Sequence, residues 1–112
     1  FKLLIGFNSI DYDFVKIMKI DMISGREFTK DFPGDKKKNF LINEEMARIM
    51  KKKPAVGARF HFQGAKGQVI GIMKDFHYQY TGIKIEPIAW LLDPEKINLL
   101  GTILIYRSGQ IW

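Results

Sequence analysis

The chain contains no cysteine and only two histidines, and none of its apolar runs is long. Without cysteine there can be no disulfide, no thiolate nucleophile and no cysteine-based zinc site. His61 and His77 lack the i, i+3 or i+4 helical spacing that would direct two imidazoles to one metal. The longest apolar runs, 88–92 and 99–106, fall far short of the ~20 residues that span a bilayer. The sequence therefore predicts neither a metal site nor a membrane span.

Motifs for catalysis are also missing. The glycines at positions 64, 67 and 71 lack the spacing of a phosphate-binding loop, and there is no Gly-x-Ser-x-Gly elbow. Two carboxylate pairs occur, Asp11 with Asp13 and Glu44 with Glu45, but both stand at predicted helix N-termini. Capping and the helix dipole account for acidic residues there. We therefore predict that the chain is not an enzyme and holds no cofactor.

What the chain does have is enough apolar residues for a core, together with an excess of positive charge. Its 112 residues are 46% hydrophobic, which predicts one domain over residues 1–112. The sequence begins at Phe1 without a basic-then-apolar leader, so we expect a fragment of a longer protein. The net charge of +6 suits contact with nucleic acid, anionic lipid headgroups or acidic proteins, and equally suits a solvated surface.

The stretch 67–77 is the best candidate for a central strand. Residues 69–73 show little polar alternation, as expected of a strand that is buried on both faces. Gly71 in their middle has no side chain to pack, which indicates a bulge or the close approach of another backbone. Lys74 and Asp75 then end the apolar run.

Further strands are predicted on both sides of this stretch. Residues 59–63 alternate strictly, with two phenylalanines on one face and Arg59 and His61 on the other. The connection 64–67 has glycine at both ends, which predicts an antiparallel hairpin with the central strand. The other strand candidates are residues 2–7, 20–23, 40–42, 88–92 and 99–107.

Two short amphipathic helices complete the predicted fold. The first should begin after Asp11 and bury Phe14, Ile17 and Met18, which stand at i, i+3 and i+4. The second should be capped by Asn43 and should bury a stripe with the same spacing, Met46, Ile49 and Met50. The elements together predict an α+β fold, in which both helices pack against a small, mostly antiparallel sheet.

Two segments are interpreted as loops. Residues 29–39 are polar and include the lysine run 36–38, which we interpret as a solvated loop tip, with binding of acidic lipid or nucleic acid as the alternative. The aromatic residues His77, Tyr78 and Tyr80 follow the central strand without periodicity. They should either pack on the sheet edge or contact a partner.

Five segments occur in a characteristic order along the chain. They are Asp11-Tyr12-Asp13-Phe14 with Met18-Lys19-Ile20; Ser24-Gly25-Arg26-Glu27-Phe28; Phe40-Leu41-Ile42-Asn43-Glu44; Pro54-Ala55-Val56-Gly57-Ala58-Arg59-Phe60; and Val69-Ile70-Gly71-Ile72-Met73-Lys74-Asp75-Phe76-His77. In order and spacing they resemble the extracytoplasmic, MacB-like periplasmic core domain of the MacB/FtsX-like family of ABC transporter permeases, and most of all its Bacteroidetes-type branch. The resemblance covers about residues 10 to 92. Ile72-Met73 departs from the valines that are frequent in the family, a conservative change that affects packing alone.

The resemblance implies roles in the fold for a set of motif residues, and no catalytic residue, cofactor or metal. The motif residues are Gly25, Arg26, Phe28, Asn43, Glu44, Pro54, Gly57, Gly71, Lys74, Asp75 and Phe76. In this family the ATPase is a separate cytoplasmic domain or subunit. The implied role is therefore to couple ATP hydrolysis to export or extraction of a substrate.

The resemblance also implies a location and a set of partners. The domain would lie on the periplasmic side of the bacterial inner membrane, joined to the transmembrane helices of the parent permease. It would work in a permease dimer, with the cytoplasmic ATPase acting indirectly, and would contact an unknown exported substrate or partner proteins rather than nucleic acid.

The alternative hypothesis is a basic binding module for nucleic acid or anionic lipid. Arg59, His61, Lys74 and Tyr78 loosely provide the mixture of basic and aromatic side chains that such a surface needs. The lysines, however, concentrate at a loop tip and at a helix C-terminus, so no continuous basic stripe is predicted. Steeply salt-dependent binding to nucleic acid or to acidic vesicles would distinguish this hypothesis.

Overall fold

The computed structural model describes residues 2–36, 38–62, 65–75, 87–95 and 98–107. The strands are β1 (Lys2–Ile10), β2 (Met22–Gly25), β3 (Phe40–Asn43), β4 (Arg59–Phe62), β5 (Ala65–Met73), β6 (Ile88–Leu92) and β7 (Asn98–Arg107). The helices are α1 (Phe14–Ile17) and α2 (Glu44–Met50), with a short 3-10 helix at Pro33–Asp35. No helix of the described residues is both long enough and apolar enough to cross a membrane.

The strands form a sheet in the order β2-β5-β3-β6-β1-β7, and β4 pairs with β5 outside this path. The α+β class predicted from the sequence is confirmed, but the sheet is mixed rather than mostly antiparallel. The pairs β1–β6 and β3–β5 are parallel, whereas β1–β7, β2–β5, β3–β6 and β4–β5 are antiparallel. Among the described strands, only β4 and β5 are both consecutive and paired. The prediction was wrong here because most neighbouring strands are joined by crossovers, whose direction local turn residues do not specify.

The middle of the sheet is buried on both faces, because successive residues of β3, β5 and β6 alternate between two apolar clusters. The cluster on the α2 side consists of Ile5, Phe40, Ile42, Met46, Met50, Ala55, Phe60, Val69 and Ala89. The cluster on the α1 side consists of Ile10, Phe14, Val15, Phe28, Leu41, Ile70, Met73, Trp90 and Leu92. This arrangement explains the continuous apolar sequence of the central strand.

Strand β5 is the predicted central strand, and it pairs with three others. Residues 65–68 pair with β4, residues 69–73 with β3, and residues 71–73 with β2. The register with β3 shifts beside Gly71, where Ile70 is the extra residue of β5, whereas the register with β2 shifts further along, between Met22 and Ser24. A Cβ atom at Gly71 would overlap the carbonyl oxygen of Arg26. Both the bulge and the close backbone approach expected at Gly71 are therefore confirmed, as is the antiparallel pairing of β4 with β5. The predicted connection 64–67 was wrong in part, because Ala65, Lys66 and Gly67 belong to β5 and pair with β4.

The two helices differ in how well they match the predicted stripes. Met46 and Met50 of α2 are buried, as predicted. In α1 only Phe14 of its predicted stripe is buried, while Ile17 is 72% exposed and Met18 is 48% exposed. The first stripe was therefore predicted wrongly, because α1 has four residues and ends before a second turn could carry Ile17 and Met18 onto the sheet.

Candidate functional site

Gly25 ends β2 at the point where the backbone lies directly against β5. Its φ of 73° is a positive value that glycine adopts readily, and a Cβ there would overlap the carbonyl oxygen of Ile70. Arg26 follows and donates its backbone N–H to the same carbonyl at 3.1 Å. Only glycine meets both the conformational and the steric requirement at position 25. The Gly25-Arg26 motif therefore fixes the point at which the chain, after β2, turns away from β5.

The Arg26 side chain makes a two-pronged ion pair with Asp35. Its Nη1 lies 2.7 Å from Asp35 Oδ2 and its Nη2 lies 2.9 Å from Oδ1. Asn39 Nδ2 donates to the same carboxylate at 3.0 Å, and the Arg26 guanidinium lies 4.0 Å from the centre of the Phe32 ring. We call Arg26, Phe32, Asp35 and Asn39 the Arg26 cluster. It closes the segment 26–39 into a compact loop.

Asp35 is almost completely buried, with 1% of its side chain exposed. Burial alone would raise the pKa of this carboxyl, but hydrogen bonds from Arg26 and Asn39 and the nearby positive charge outweigh that effect and lower it. The pKa of Arg26 is raised, chiefly by its hydrogen bond to Asp35. Both groups are therefore charged in the folded protein over the neutral pH range.

A second polar cluster stands at the start of α2. Asn43 Oδ1 accepts from the backbone N–H of Met46 and from that of Ile88, each at 3.0 Å, so the predicted helix cap also holds β6. Asp75 N–H donates to Glu44 Oε1 at 2.9 Å, and Asp75 Oδ1 accepts from Glu45 N–H at 3.2 Å. We call Asn43, Glu44, Glu45 and Asp75 the α2 cluster. It joins the end of β5 to the first turn of the helix.

Asp75 has the opposite electrostatic environment to Asp35. Partial burial is the main cause that raises the pKa of Asp75, and the negative charges of Glu44 and Glu45 raise it further. The hydrogen bond from Glu45 N–H acts in the other direction but is outweighed. Hydrogen bonds with Glu44 and Glu45 therefore hold Asp75 in a position whose surroundings disfavour its negative charge.

An open cleft of about 410 Å³ lies between the loop of the Arg26 cluster and the β4–β5 hairpin. We call it the basic cleft, because Lys38 and Arg59 are its charged residues. It is lined by Gly34, Lys38, Asn39, Gly57, Arg59, Gly67 and Gln68. Lys38, Arg59 and Gln68 are exposed, and Asn39 is half-buried.

The remaining motif residues lie at separate positions in the fold, some in the core and some at the surface. Phe28 is buried in the α1-side cluster, whereas Pro54 is exposed. Lys74 is exposed and its N–H donates to the Asp21 carbonyl at 2.8 Å, and Gly57 N–H donates to the Val69 carbonyl at 2.7 Å. The predicted residues Phe76, His77, Tyr78 and Tyr80 lie outside the described part of the chain.

The described motif residues do not converge on one point. Most of them lie along β5 in three groups, namely the Gly25-Arg26 contact, the α2 cluster and the turn at Gly57 before β4. Within residues 2–36, 38–62, 65–75, 87–95 and 98–107, no group of three or more His, Asp or Glu side chains could hold a metal ion.

Sequence reasoning missed Asp35, Asn39 and the cleft beside them. Asp35 lies within residues 29–39, which were interpreted as a polar loop, and no sequence pattern connects it with Arg26 nine positions earlier. Lys38 is exposed, as expected of the lysine run, but the close approach of its backbone to Gly67 was not predicted. A buried carboxylate within a polar segment has no periodicity that would reveal it.

No protein-family model, no curated protein and no solved structure matches this chain. The resemblance to the permease family therefore stays a prediction that depends on the order of the motifs.

Proposed function

We propose that this chain is a non-catalytic, extracytoplasmic domain of an ABC transporter permease of the MacB/FtsX-like type. It would couple ATP hydrolysis, carried out elsewhere, to export or extraction of a substrate. The observation that supports the proposal is that several of the described motif residues join elements of the fold. Gly25 fits β2 against β5, Asn43 caps α2 and holds β6, and Asp75 joins β5 to α2.

This arrangement suits a domain that transmits movement. A domain that relays displacement must resist internal deformation, because a soft connection would absorb the movement instead of passing it on. Strand β5 is paired with other strands on both sides, and Asp75, two residues beyond its C-terminal end, is hydrogen-bonded to the first turn of α2. A push on either end of β5 would therefore be carried to α2 and to the middle of the sheet.

The first test is the sequence of the parent reading frame beyond Phe1 and Trp112. Apolar spans of about 20 residues on both sides are expected if the domain is inserted between transmembrane helices. A parent protein without such spans would remove the permease assignment.

A second measurement addresses the role of the domain. Incubation of the domain with ATP and Mg²⁺, followed by an assay for released phosphate, should show no hydrolysis, since hydrolysis belongs to another domain or subunit. ATP turnover that scales with the amount of purified domain would contradict the proposed division of labour.

A further inference from the structure

The basic cleft has two cationic side chains that make no ion pair with the described residues. The described ion pairs are Arg26–Asp35, Lys36–Glu95 and Arg48–Glu45, and none involves Lys38 or Arg59. Both residues are exposed, which leaves their charged groups available to a ligand. Two unpaired cations on the walls of one concave site produce a local positive potential that attracts anions.

The cleft also has room where side chains would otherwise be. A Cβ built on Gly34 or on Gly57 meets no atom within 4 Å, so the absence of side chains at these positions leaves open space. Gly34 has an ordinary backbone conformation, whereas Gly57 has a φ of 91°. The volume of about 410 Å³ is within the usual range for small-molecule sites. It would hold a phosphate group with a few attached atoms.

The walls of the cleft are held together by direct contacts. Asn39 Oδ1 accepts from the backbone N–H of Gln68 at 3.3 Å, and Asn39 Nδ2 donates to the buried Asp35. The backbone of Lys38 fits against Gly67, where a Cβ would overlap the Lys38 carbonyl oxygen. The loop that carries Lys38 is thus fixed to the hairpin that carries Arg59, and less ordering is needed when a ligand binds.

We propose that the basic cleft binds the phosphate group of a small molecule or of a lipid headgroup, with Arg59 and Lys38 as its charged ligands. A phosphate monoester carries up to two negative charges and several acceptor oxygens, which two cations match better than they match a singly charged carboxylate. The Gln68 side chain at the rim adds a neutral hydrogen-bond donor. This inference does not depend on the permease assignment.

The test is a titration of the isotope-labelled domain with inorganic phosphate and with glycerol phosphate at low salt, followed by amide chemical shifts. We expect saturable shifts at the amides of Lys38, Arg59 and Gln68. Lys38→Gln and Arg59→Gln should each weaken binding about five- to tenfold, the usual effect of losing one charge-assisted contact. Lys16→Gln is the matched control, because it removes the same charge from an exposed position on α1 that does not line the cleft.

A second variant tests whether the ligand needs the open space of the cleft, in addition to its positive charge. Gly34→Leu should occupy part of the cleft, because a Cβ at this position meets no atom within 4 Å, and it should abolish binding while leaving the thermal midpoint unchanged. Gly34→Ala, which adds only a methyl group, should retain most of the affinity. Equal binding by Gly34→Leu and the wild-type protein would overturn the proposal.

A vesicle-binding measurement distinguishes the two possible sources of the phosphate group. Co-sedimentation with vesicles that contain phosphatidic acid, whose headgroup is a phosphate monoester, compared with phosphatidylcholine vesicles, tests a lipid headgroup as the source. Vesicle binding that is lost in Arg59→Gln and Gly34→Leu but retained in Lys16→Gln would assign the cleft to a headgroup. Phosphate binding without vesicle binding would assign it to a small molecule. Absence of both, or equal loss in the Lys16→Gln control, would show that no specific phosphate site exists.

Discussion

The Arg26 cluster and the α2 cluster each contain a carboxylate that closes a junction, yet the two carboxylates are held in opposite ways. Asp35 is buried against a cation, and its pKa is lowered despite its burial. Asp75 lies beside two other carboxylates, and its pKa is raised by burial and by their charges. Asp35 therefore stabilises the fold through its negative charge, whereas Asp75 stabilises it through its hydrogen bonds with the start of α2. The same side chain thus acts by different physical means at the two junctions.

The largest effect should follow from removing the cation of the Arg26 cluster. Arg26→Met keeps much of the aliphatic volume but leaves the Asp35 carboxylate buried without its partner. We expect a loss of about 2–3 kcal/mol in the free energy of unfolding, near the lower limit for a broken buried pair because Arg26 is partly exposed. Urea denaturation at pH 7 would measure it. A loss below about 0.5 kcal/mol would mean that Asp35 can be solvated without local unfolding.

Asp35→Asn should have a smaller effect that depends on pH. It removes the charge but leaves an amide that can still accept from Asn39, so we expect a loss of about 2 kcal/mol at pH 7. Because the folded protein lowers the pKa of Asp35, its contribution is complete above the unfolded pKa, near 4, and is lost as pH falls through the folded value. The difference between wild type and variant should therefore shrink on acidification. A constant difference from pH 7 to pH 2 would contradict this account.

Substitutions at Asp75 should sharpen the comparison between the two carboxylates, because they can separate the effect of the charge from the effect of the hydrogen bond. Asp75→Ala removes the acceptor for Glu45 N–H and should cost about 1 kcal/mol, as loss of a helix cap does. Asp75→Asn keeps an acceptor and removes the repulsion with Glu44 and Glu45, so it should be neutral or more stable by a few tenths of a kcal/mol at pH 7.

The pH dependence at Asp75 should have the opposite sign to that at Asp35. Since the folded protein raises this pKa, the unfavourable charge is absent in acid and develops as pH rises from the unfolded to the folded value. Any advantage of Asp75→Asn should therefore disappear below about pH 4. Thermal melts of both proteins at pH 3 and pH 7 would measure it, and an equal loss for Asp75→Asn and Asp75→Ala would reject the distinction between the effect of the hydrogen bond and that of the charge.

The smallest effect is expected at Lys36, which pairs with Glu95 on the surface. Both side chains are largely exposed, at 42% and 62%, so water and salt screen their attraction. Lys36→Ala should leave the urea midpoint unchanged, in contrast to Arg26→Met in the same loop. A clear destabilisation by Lys36→Ala would mean that the loop depends on more than the Arg26 cluster.

How far the sequence predicts this structure depends on how local the interactions are. The cap at Asn43 and the buried Met46 and Met50 follow from residues within two helical turns, so they could be predicted. The irregular pairing and the close backbone approach at Gly71 could be predicted, because a glycine within an apolar strand has few structural explanations.

Contacts between distant segments could not be predicted in this way. Asp75 reaches Glu45 from 30 positions along the chain, and the Arg26–Asp35 pair depends on the path of a whole loop. The basic cleft has the same origin, since Lys38 and Arg59 become neighbours only after the loop is fixed to the hairpin. Local sequence therefore predicted the elements and one junction, but neither the parallel pairings nor the cleft.

The position of β1 in the sheet has a consequence for how the chain folds. β1 is the first strand in the sequence, yet both of its partners, β6 and β7, come from residues 88–107. During synthesis the apolar segment β1 has no strand to pair with until most of the chain has emerged. Closing so long a loop is entropically unfavourable and slows folding. We therefore expect fragments that end before β6 to leave β1 exposed and to aggregate.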